Sequence, residues 1–237
     1  MSDTCNNELY EKVASKDFHP EHVAEVGVWH PETSNIYLFI QDGIKSSLFE
    51  PDPESISLIK DCFKDNNNVI LHETAICDFN GDVKLYKRAS STFVSLLTSS
   101  PAIVNDTADL GNTDTFTAKA IMFNEIDDGG IDLISIDTEG SEWFVIKNMV
   151  SRPTVISIET HGGAYINPYI DELLSWMKNN GYVIWYKDKS DSVYVKKDTI
   201  SPGLSEKINL FFMDIKIRLK ALKKRLSIFR KKHLKTR

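Results

Sequence analysis

The run Ile131-Asp132-Leu133-Ile134-Ser135-Ile136-Asp137-Thr138-Glu139-Gly140-Ser141-Glu142 places three carboxylates around a glycine directly after an apolar stretch. Carboxylates accept hydrogen bonds from hydroxyl and ammonium groups, take protons as bases, and bind hard cations. An apolar run that breaks into acids reads as a buried strand delivering them to a cleft. Two comparable units lie upstream, His22-Val23-Ala24-Glu25-Val26-Gly27-Val28 and Ser47-Leu48-Phe49-Glu50-Pro51-Asp52-Pro53. A fourth, Glu159-Thr160-His161, ends another apolar run with an acid and an imidazole. Each has a plainer reading: a strand-end acid as a helix cap, Glu142 favouring a helix N-terminus, His161 as a turn residue, Trp29 as packing. Their recurrence at strand ends argues for one site, because open α/β sheets bind ligands beyond the carboxyl ends of their strands.

Positioning such residues requires a parallel sheet covered by helices, and the alternation of β-rich runs with amphipathic stretches supplies one. Strands are expected at 22–27, 45–50, 68–73, 131–136 and 154–159. A helix should follow Asp52 as N-cap and Pro53 in the first turn, with Ile56, Ile59 and Phe63 at helical spacing. Asn80-Gly81 predicts a turn into an extra strand at 82–86. Residues 88–116 are polar and long for a connection, so a substrate lid is expected there, with a floppy insertion as the alternative. A helix near 168–180 precedes two β-rich runs, 182–186 and 192–196, around Lys187-Asp188-Lys189-Ser190-Asp191, which read as a closing antiparallel hairpin. The fold class is therefore α/β, mostly parallel, in three parts: an N-terminal extension (1–21), the main domain (22–200) and a tail (205–237).

These units resemble the FkbM family of S-adenosylmethionine-dependent methyltransferases over about residues 22–196. Against the family's D-V-G-A-N-x-G-x-x-S/T the chain has Glu25-Val26-Gly27-Val28-Trp29-His30-Pro31-Glu32-Thr33-Ser34, with Glu25 for Asp and Pro31 for the second Gly. F-E-P-x-P stands intact as Phe49-Glu50-Pro51-Asp52-Pro53. D-L-I-K-I-D-V-E-G-x-E is matched at Asp137, Glu139, Gly140 and Glu142, with Ser135 for Lys. Met122-Phe123-Asn124 stands where the family has T-L-D. The resemblance implies a Rossmann-like class I methyltransferase sheet and S-adenosylmethionine as cofactor. Gly27 would let the backbone approach its methionine part, Glu25 would hold its ammonium, Glu50 would accept both ribose hydroxyls, and Ala75 would pass the adenine. Asp137 and Glu139 are expected at the cofactor or acceptor, and His161 as base. The implied reaction is O-methylation of a hydroxyl on a sugar, glycan or related metabolite. The alternative is a catalytically degenerate methyltransferase fold serving as a cofactor-sensing or membrane-tethered module. The chain has neither G-x-G-x-x-G after its first strand nor an N-P-P-Y/F amino-methylation motif. Asp137, Glu139, Glu159 and His161 offer ligands for Mg²⁺ or Mn²⁺, but no spacing specifies a site, and no metal is expected.

A 41% hydrophobic and 26% charged composition over 237 residues suits one globular domain with appendages. Cys5, Cys62 and Cys77 form no C-x-x-C pair, which fits a reducing compartment. No signal-peptide pattern or spanning run stands out, so the expected location is cytoplasmic, peripheral at the inner face of a membrane. Residues 205–237 hold 12 Lys/Arg against 2 Asp/Glu, which leaves 16 against 32 in residues 1–204. The acidic body argues against nucleic acid as a partner. In the tail Ile208, Phe212, Ile215, Leu219, Leu222, Leu226 and Phe229 alternate spacings of four and three. Basic residues flank this stripe, so a symmetric parallel dimer would repel itself, whereas an anionic membrane surface would satisfy both features. Docking of the tail on the acidic body or an acidic partner is the alternative.

Overall fold

The computed structural model describes residues 8–88, 91–94, 114–162 and 165–234. In chain order the strands are β1 (His22–Val26), β2 (Lys45–Phe49), β3 (Val69–His72), β4 (Ala75–Cys77), β5 (Gly81–Arg88), β6 (Ser91–Val94), β7 (Asp114–Met122), β8 (Leu133–Ile136), β9 (Val155–Glu159), β10 (His161–Gly162), β11 (Tyr165–Ile166), β12 (Tyr182–Lys187) and β13 (Asp191–Lys196). The α-helices are α1 (Glu8–Ala14), α2 (Tyr37–Gln41), α3 (Pro53–Phe63), α4 (Glu142–Lys147), α5 (Ile170–Asn179) and α6 (Leu204–Leu234). Seven strands form the main sheet in the order β12-β13-β9-β8-β1-β2-β3, with the first three positions antiparallel and the rest parallel. All five expected parallel strands are present within a residue or two of their predicted bounds, and so is the closing hairpin.

Both faces of this sheet are covered, so its central strands are apolar throughout rather than alternating. Val23, Leu48, Leu133, Val155 and Trp185 pack on one face. Ala24, Val26, Ile134, Ile136, Ile156 and Ile158 pack on the other. Leu9 and Val13 of α1 join the first cluster, so part of the segment before β1 packs onto the sheet. Asp52 caps α3 as expected, accepting from the Glu54 N–H at 2.8 Å, and Pro53 occupies the first turn.

The strand after Asn80-Gly81 is also present, as β5, but it leaves the main sheet. It belongs to a second, four-stranded sheet in the order β4-β7-β5-β6. Its long partner β7 was absent from the expected elements, although Phe116, Ala118 and Ala120 alternate with Thr115, Thr117 and Lys119 there. The remainder of the expected lid, 95–113, lies outside the described residues.

The helix α6 meets the body through one face. Glu206, Leu210, Met213, Asp214, Ile217 and Ala221 are half-buried, at spacings that keep them on one side of a helix. Glu206 accepts from Trp185 Nε1 and pairs with Lys16, both at 2.7 Å, and Asp214 pairs with Lys187 at 2.7 Å. The tail's two acids thus hold it against lysines of the body. The opposite face carries Ile208, Phe212, Ile215, Leu219 and Leu222, all exposed. Nothing is described for the side chains of Leu226 and Phe229.

Candidate functional site

Strand register brings the acids together. Val26 lies level with Phe49 and with Ile136, and Ile136 lies level with Ile158. The next residue on each strand therefore emerges along one edge: Gly27, Glu50, Asp137 and Glu159. A cleft of about 910 Å³, counted out to its mouth, opens above this edge. Its lining includes Glu25, Gly27, Glu50, Ala75, Asp137 and Glu139, with Ile76 and Leu85 of the second sheet forming an apolar wall. An apolar cleft with a few convergent polar groups is the usual form of a small-molecule site.

The loops at this edge are strained, and buried glutamates hold them. Trp29 has φ of 53° and Glu139 has φ of 57°, left-handed values that are costly for side chains with a Cβ. Glu50 Oε2 accepts from the Val28 and Trp29 N–H groups at 3.0 and 2.9 Å, and Oε1 accepts from the Asp52 N–H at 2.9 Å. Glu142 does the same after β8, where Oε1 accepts from the Thr138 and Gly140 N–H groups, both at 3.0 Å. Its Oε2 accepts a short bond from Asn167 Nδ2. Each glutamate fixes a loop whose backbone would not otherwise hold that shape.

This geometry revises two expected roles. A carboxylate offers about four lone-pair sites. Three of those on Glu50 are taken by backbone donors, which leaves one, on Oε1, so it cannot accept both ribose hydroxyls while it holds the loop. Gly27 lines the cleft and is required for packing as well. A Cβ placed there would lie 1.8 Å from the Asp137 carbonyl oxygen, and its φ is +85°. The glycine permits β1 and β8 to run side by side at their ends.

Glu25 is buried beneath the cleft, where Oε1 accepts from the Asn35 N–H at 2.9 Å and Oε2 accepts a short bond from the Ser34 hydroxyl. Burial pushes its carboxyl up to about 8, which leaves it mostly protonated at neutral pH. Pro31 starts a 3₁₀ turn, Pro31–Thr33, that carries the chain back to these contacts. Ser135 is buried, and its hydroxyl accepts from Asn35 Nδ2 at 3.0 Å. Trp29 is 41% exposed at the rim and packs edge-on against His30, outside the core.

Asp137 and Glu159 are different. Neither carboxylate makes a hydrogen bond to a described residue, and Glu159 Oε2 is buried with no partner. Burial, followed by the neighbouring acids, raises both well above the usual carboxylate range. Asp191, paired opposite Glu159 across β13 and β9, is pushed up to about 7 by burial and by Asp188. Buried acids raised toward neutrality suit proton transfer at the pH of a cell.

His161 does not join this group. It lines a separate cavity with Tyr165, Lys187, Asp188 and the docked face of α6. Its Nε2 faces the Asp188 carbonyl at 3.4 Å and so carries the proton, while Nδ1 accepts from the Thr160 hydroxyl at 2.9 Å. The ring lines that cavity and not the strand-end cleft, so the structure does not bring His161 to the place where the expected base would act. Two residues near the acids were not revealed by the strand-end pattern. Tyr165, whose buried hydroxyl has no partner, comes from a two-residue strand, and Thr138 lines the cleft with a buried hydroxyl also lacking one. Nothing in the spacing of either residue signals this.

A mostly parallel sheet, closed by an antiparallel hairpin and carrying a cleft at its strand ends, has the architecture of Rossmann-like methyltransferases. The chain belongs to the methyltransferase FkbM family, whose domain model matches residues 21–184. No curated protein matches it by sequence. Among solved structures it is similar to the methyltransferase domain of bacterial CtHen1, at 10% identity and a TM-score of 0.44 over 80% of this chain and 97% of that one. It is also similar to precorrin-6y C5,15-methyltransferase from Geobacter metallireducens, at 13% identity and a TM-score of 0.38 over 82% and 89%. A third is fibrillarin from Aeropyrum pernix with natively bound S-adenosyl-L-methionine, at 10% identity and a TM-score of 0.41 over 78% and 74%. The family assignment rests on the sequence model and not on these distant likenesses.

Proposed function

We propose that the protein is an S-adenosylmethionine-dependent O-methyltransferase whose acceptor is a hydroxyl on a sugar, glycan or related metabolite. Membership of the FkbM family supplies the cofactor, and the sugar class is carried by the same resemblance. The observation that supports oxygen as the acceptor atom is the pair of raised acids at the strand ends, Asp137 lining the cleft and Glu159 with an Oε2 that has no partner among the described residues.

When bound, S-adenosylmethionine supplies a methyl group on a positively charged sulfur, and its transfer to oxygen leaves S-adenosylhomocysteine and releases the hydroxyl proton. The residues here fit that cofactor. Glu50 has one lone pair left for ribose, Thr138 lines the cleft with a buried hydroxyl that has no partner among the described residues, and Ala75, Ile76 and Leu85 provide an apolar wall for a flat base. Glu50 and Glu142 keep the two loops in place, so positioning is built in before any ligand arrives. Asp137, which lines the cleft, is placed to accept the proton as the acceptor oxygen loses it. Calorimetry with S-adenosylmethionine, followed by mass spectrometry of candidate glycans for a gain of about 14 Da, the mass of a methyl replacing hydrogen, tests this reading. Cofactor binding without turnover on any hydroxyl acceptor would favour the degenerate module instead, to which the departures at Pro31, Ser135 and Met122 would then belong.

The tail supports a second element of function, attachment to an anionic membrane surface. No helix among the described residues is long and apolar enough to cross a membrane. The exposed stripe of α6 points away from the body, with Lys216, Arg218, Lys220, Lys223 and Lys224 around it. Apolar burial adds to about 1 kcal/mol per basic residue near such a surface. Sedimentation with liposomes should rise with anionic lipid and fall with salt. It should disappear in Phe212→Asp/Leu219→Asp, which leaves the docked face of α6 intact; unchanged sedimentation of that variant rejects the membrane role.

A further inference from the structure

The acids beside the cleft form a closer set than methyl transfer alone accounts for. Asp137, Glu142 and Glu159 each offer a carboxylate oxygen, and these three atoms lie within 4.8 Å of one another. Glu142 and Glu159 are buried and Asp137 is half-buried, and none of the three pairs with a lysine, arginine or histidine among the described residues. Buried carboxylates without a counter-charge repel one another and lose hydration, which is a costly arrangement to retain.

Two buried polar atoms of this neighbourhood lack a hydrogen-bond partner among the described residues. Glu159 is 8% exposed and its Oε2 has no hydrogen-bond partner. Tyr165, on a different strand and 1% exposed, buries a hydroxyl that also has none. The same carboxylates, Glu142 and Glu159 foremost, push that hydroxyl above its ordinary range once burial has acted, so it sits in their field. A phenol beside acids, bonded to none of them, marks room for something between.

We propose that Asp137, Glu142 and Glu159 bind one divalent hard cation, with the Tyr165 hydroxyl directed at a water or acceptor oxygen on it. All three ligands are oxygens, the donor set of Ca²⁺, Mn²⁺ and Mg²⁺. Oxygens on opposite sides of Ca²⁺ stand about 4.6–5.2 Å apart and those of Mg²⁺ about 4.2 Å, so three oxygens within 4.8 Å of one another are close enough to share a single such ion. Glu142 already accepts from Thr138, Gly140 and Asn167, so it contributes a single oxygen and serves as the fixed point of the set. Asp137 also lines the cleft, which places the ion at the junction of the cofactor space and the second cavity, on which Tyr165 borders. An acceptor hydroxyl on the ion would be more acidic than a free one and would be held toward the methyl group. That use rests on the methyltransferase reading; the binding site does not.

The test uses the full chain, freed of metal by chelation. Mn²⁺ is titrated and followed by electron paramagnetic resonance, with Ca²⁺ and Mg²⁺ followed by calorimetry. One saturable site is expected, weakened at least tenfold in both Glu159→Gln and Asp137→Asn. Metal should raise the melting temperature of the wild type and not that of Glu159→Gln. Circular dichroism confirms that both variants fold, and Glu142→Gln is avoided because Glu142 holds the turn. The proposal is overturned if none of the three ions saturates a site at millimolar concentration, or if both folded variants bind as the wild type does. S-adenosylmethionine binding is measured separately in chelator. Binding there without a metal site removes the ion and leaves the proposed function standing, whereas a metal site without cofactor binding does the reverse.

Discussion

The two halves of the strand-end edge use the same residue type in opposite ways. On the β1–β2 side, Glu25 and Glu50 are each held by donors from their own loops: Ser34 and Asn35 for one, Val28, Trp29 and Asp52 for the other. On the β8–β9 side, Asp137 and Glu159 have no such donors. Burial raises the carboxyls of both halves, so a raised pKa does not distinguish them. Hydrogen-bond satisfaction does. An acid surrounded by backbone N–H groups maintains a shape, and a buried acid without them is available to a ligand, a proton or an ion.

Glu50→Ala should break the comparison most severely, because it strands three backbone donors around a left-handed Trp29. An unsatisfied buried donor costs about 1–3 kcal/mol, so a loss of about 3 kcal/mol or more is expected in urea unfolding, together with loss of cofactor affinity. Cofactor affinity lost at wild-type stability would instead make Glu50 a ligand contact with no part in holding the loop.

Asp137→Asn should behave in the contrary sense. The amide keeps the volume and removes the charge, so stability should hold while turnover of a confirmed acceptor falls about 100-fold, within the range for a lost general base. A wild-type rate would place Asp137 with the structural acids.

Glu159→Gln should stabilise the metal-free protein by about 1 kcal/mol at pH 8, which for a chain of this size is a rise of about 2–4 °C in melting temperature. The gain should shrink as the pH falls toward 4.5 and vanish below it. The sign follows from the raised carboxyls: between their unfolded value near 4.5 and their folded one, the folded chain holds more protons than the unfolded chain, so stability falls as pH climbs. Glu25, pushed up to about 8, contributes in the same direction up to about that pH. Scanning calorimetry of both proteins across pH 5 to 8 measures it, and a wild type that gains stability with rising pH would contradict the assignment.

The smallest effect is expected for Ser34→Ala, which removes one of the two donors to Glu25. A loss of about 0.5–1.5 kcal/mol, the ordinary contribution of one hydrogen bond, should appear in the same unfolding experiment, with cofactor binding little changed.

The parallel strands and their terminal acids were legible because apolar runs ending in acid, glycine and proline depend on local sequence alone. What those acids touch was not legible. Glu50 reaches Val28 and Trp29, more than twenty positions back, and the loop it holds puts a tryptophan in a backbone region where glycine is the usual occupant. Register, too, decides which acids share an edge, and His161 fell on the far side because Ser190 and Asp188 of the hairpin turn take up its backbone and ring. In the tail, the apolar stripe through Phe212 and Leu219 was conspicuous, but the face that docks combines Leu210, Met213 and Ile217 with two acids. The role of those acids depends on Lys16 and Lys187, which lie opposite them only in the folded chain.

Gly27 carries a consequence for how relatives of this chain are compared. Its side-chain position is filled by the Asp137 carbonyl, so the sheet itself forbids any other residue, whether or not a ligand ever occupies the cleft. A descendant that abandoned chemistry but kept its fold would have to keep this glycine, while Asp137 and Glu159 would be free to drift. A match at the glycine therefore certifies an intact scaffold, and the acids beside it are the better register of whether the scaffold still works.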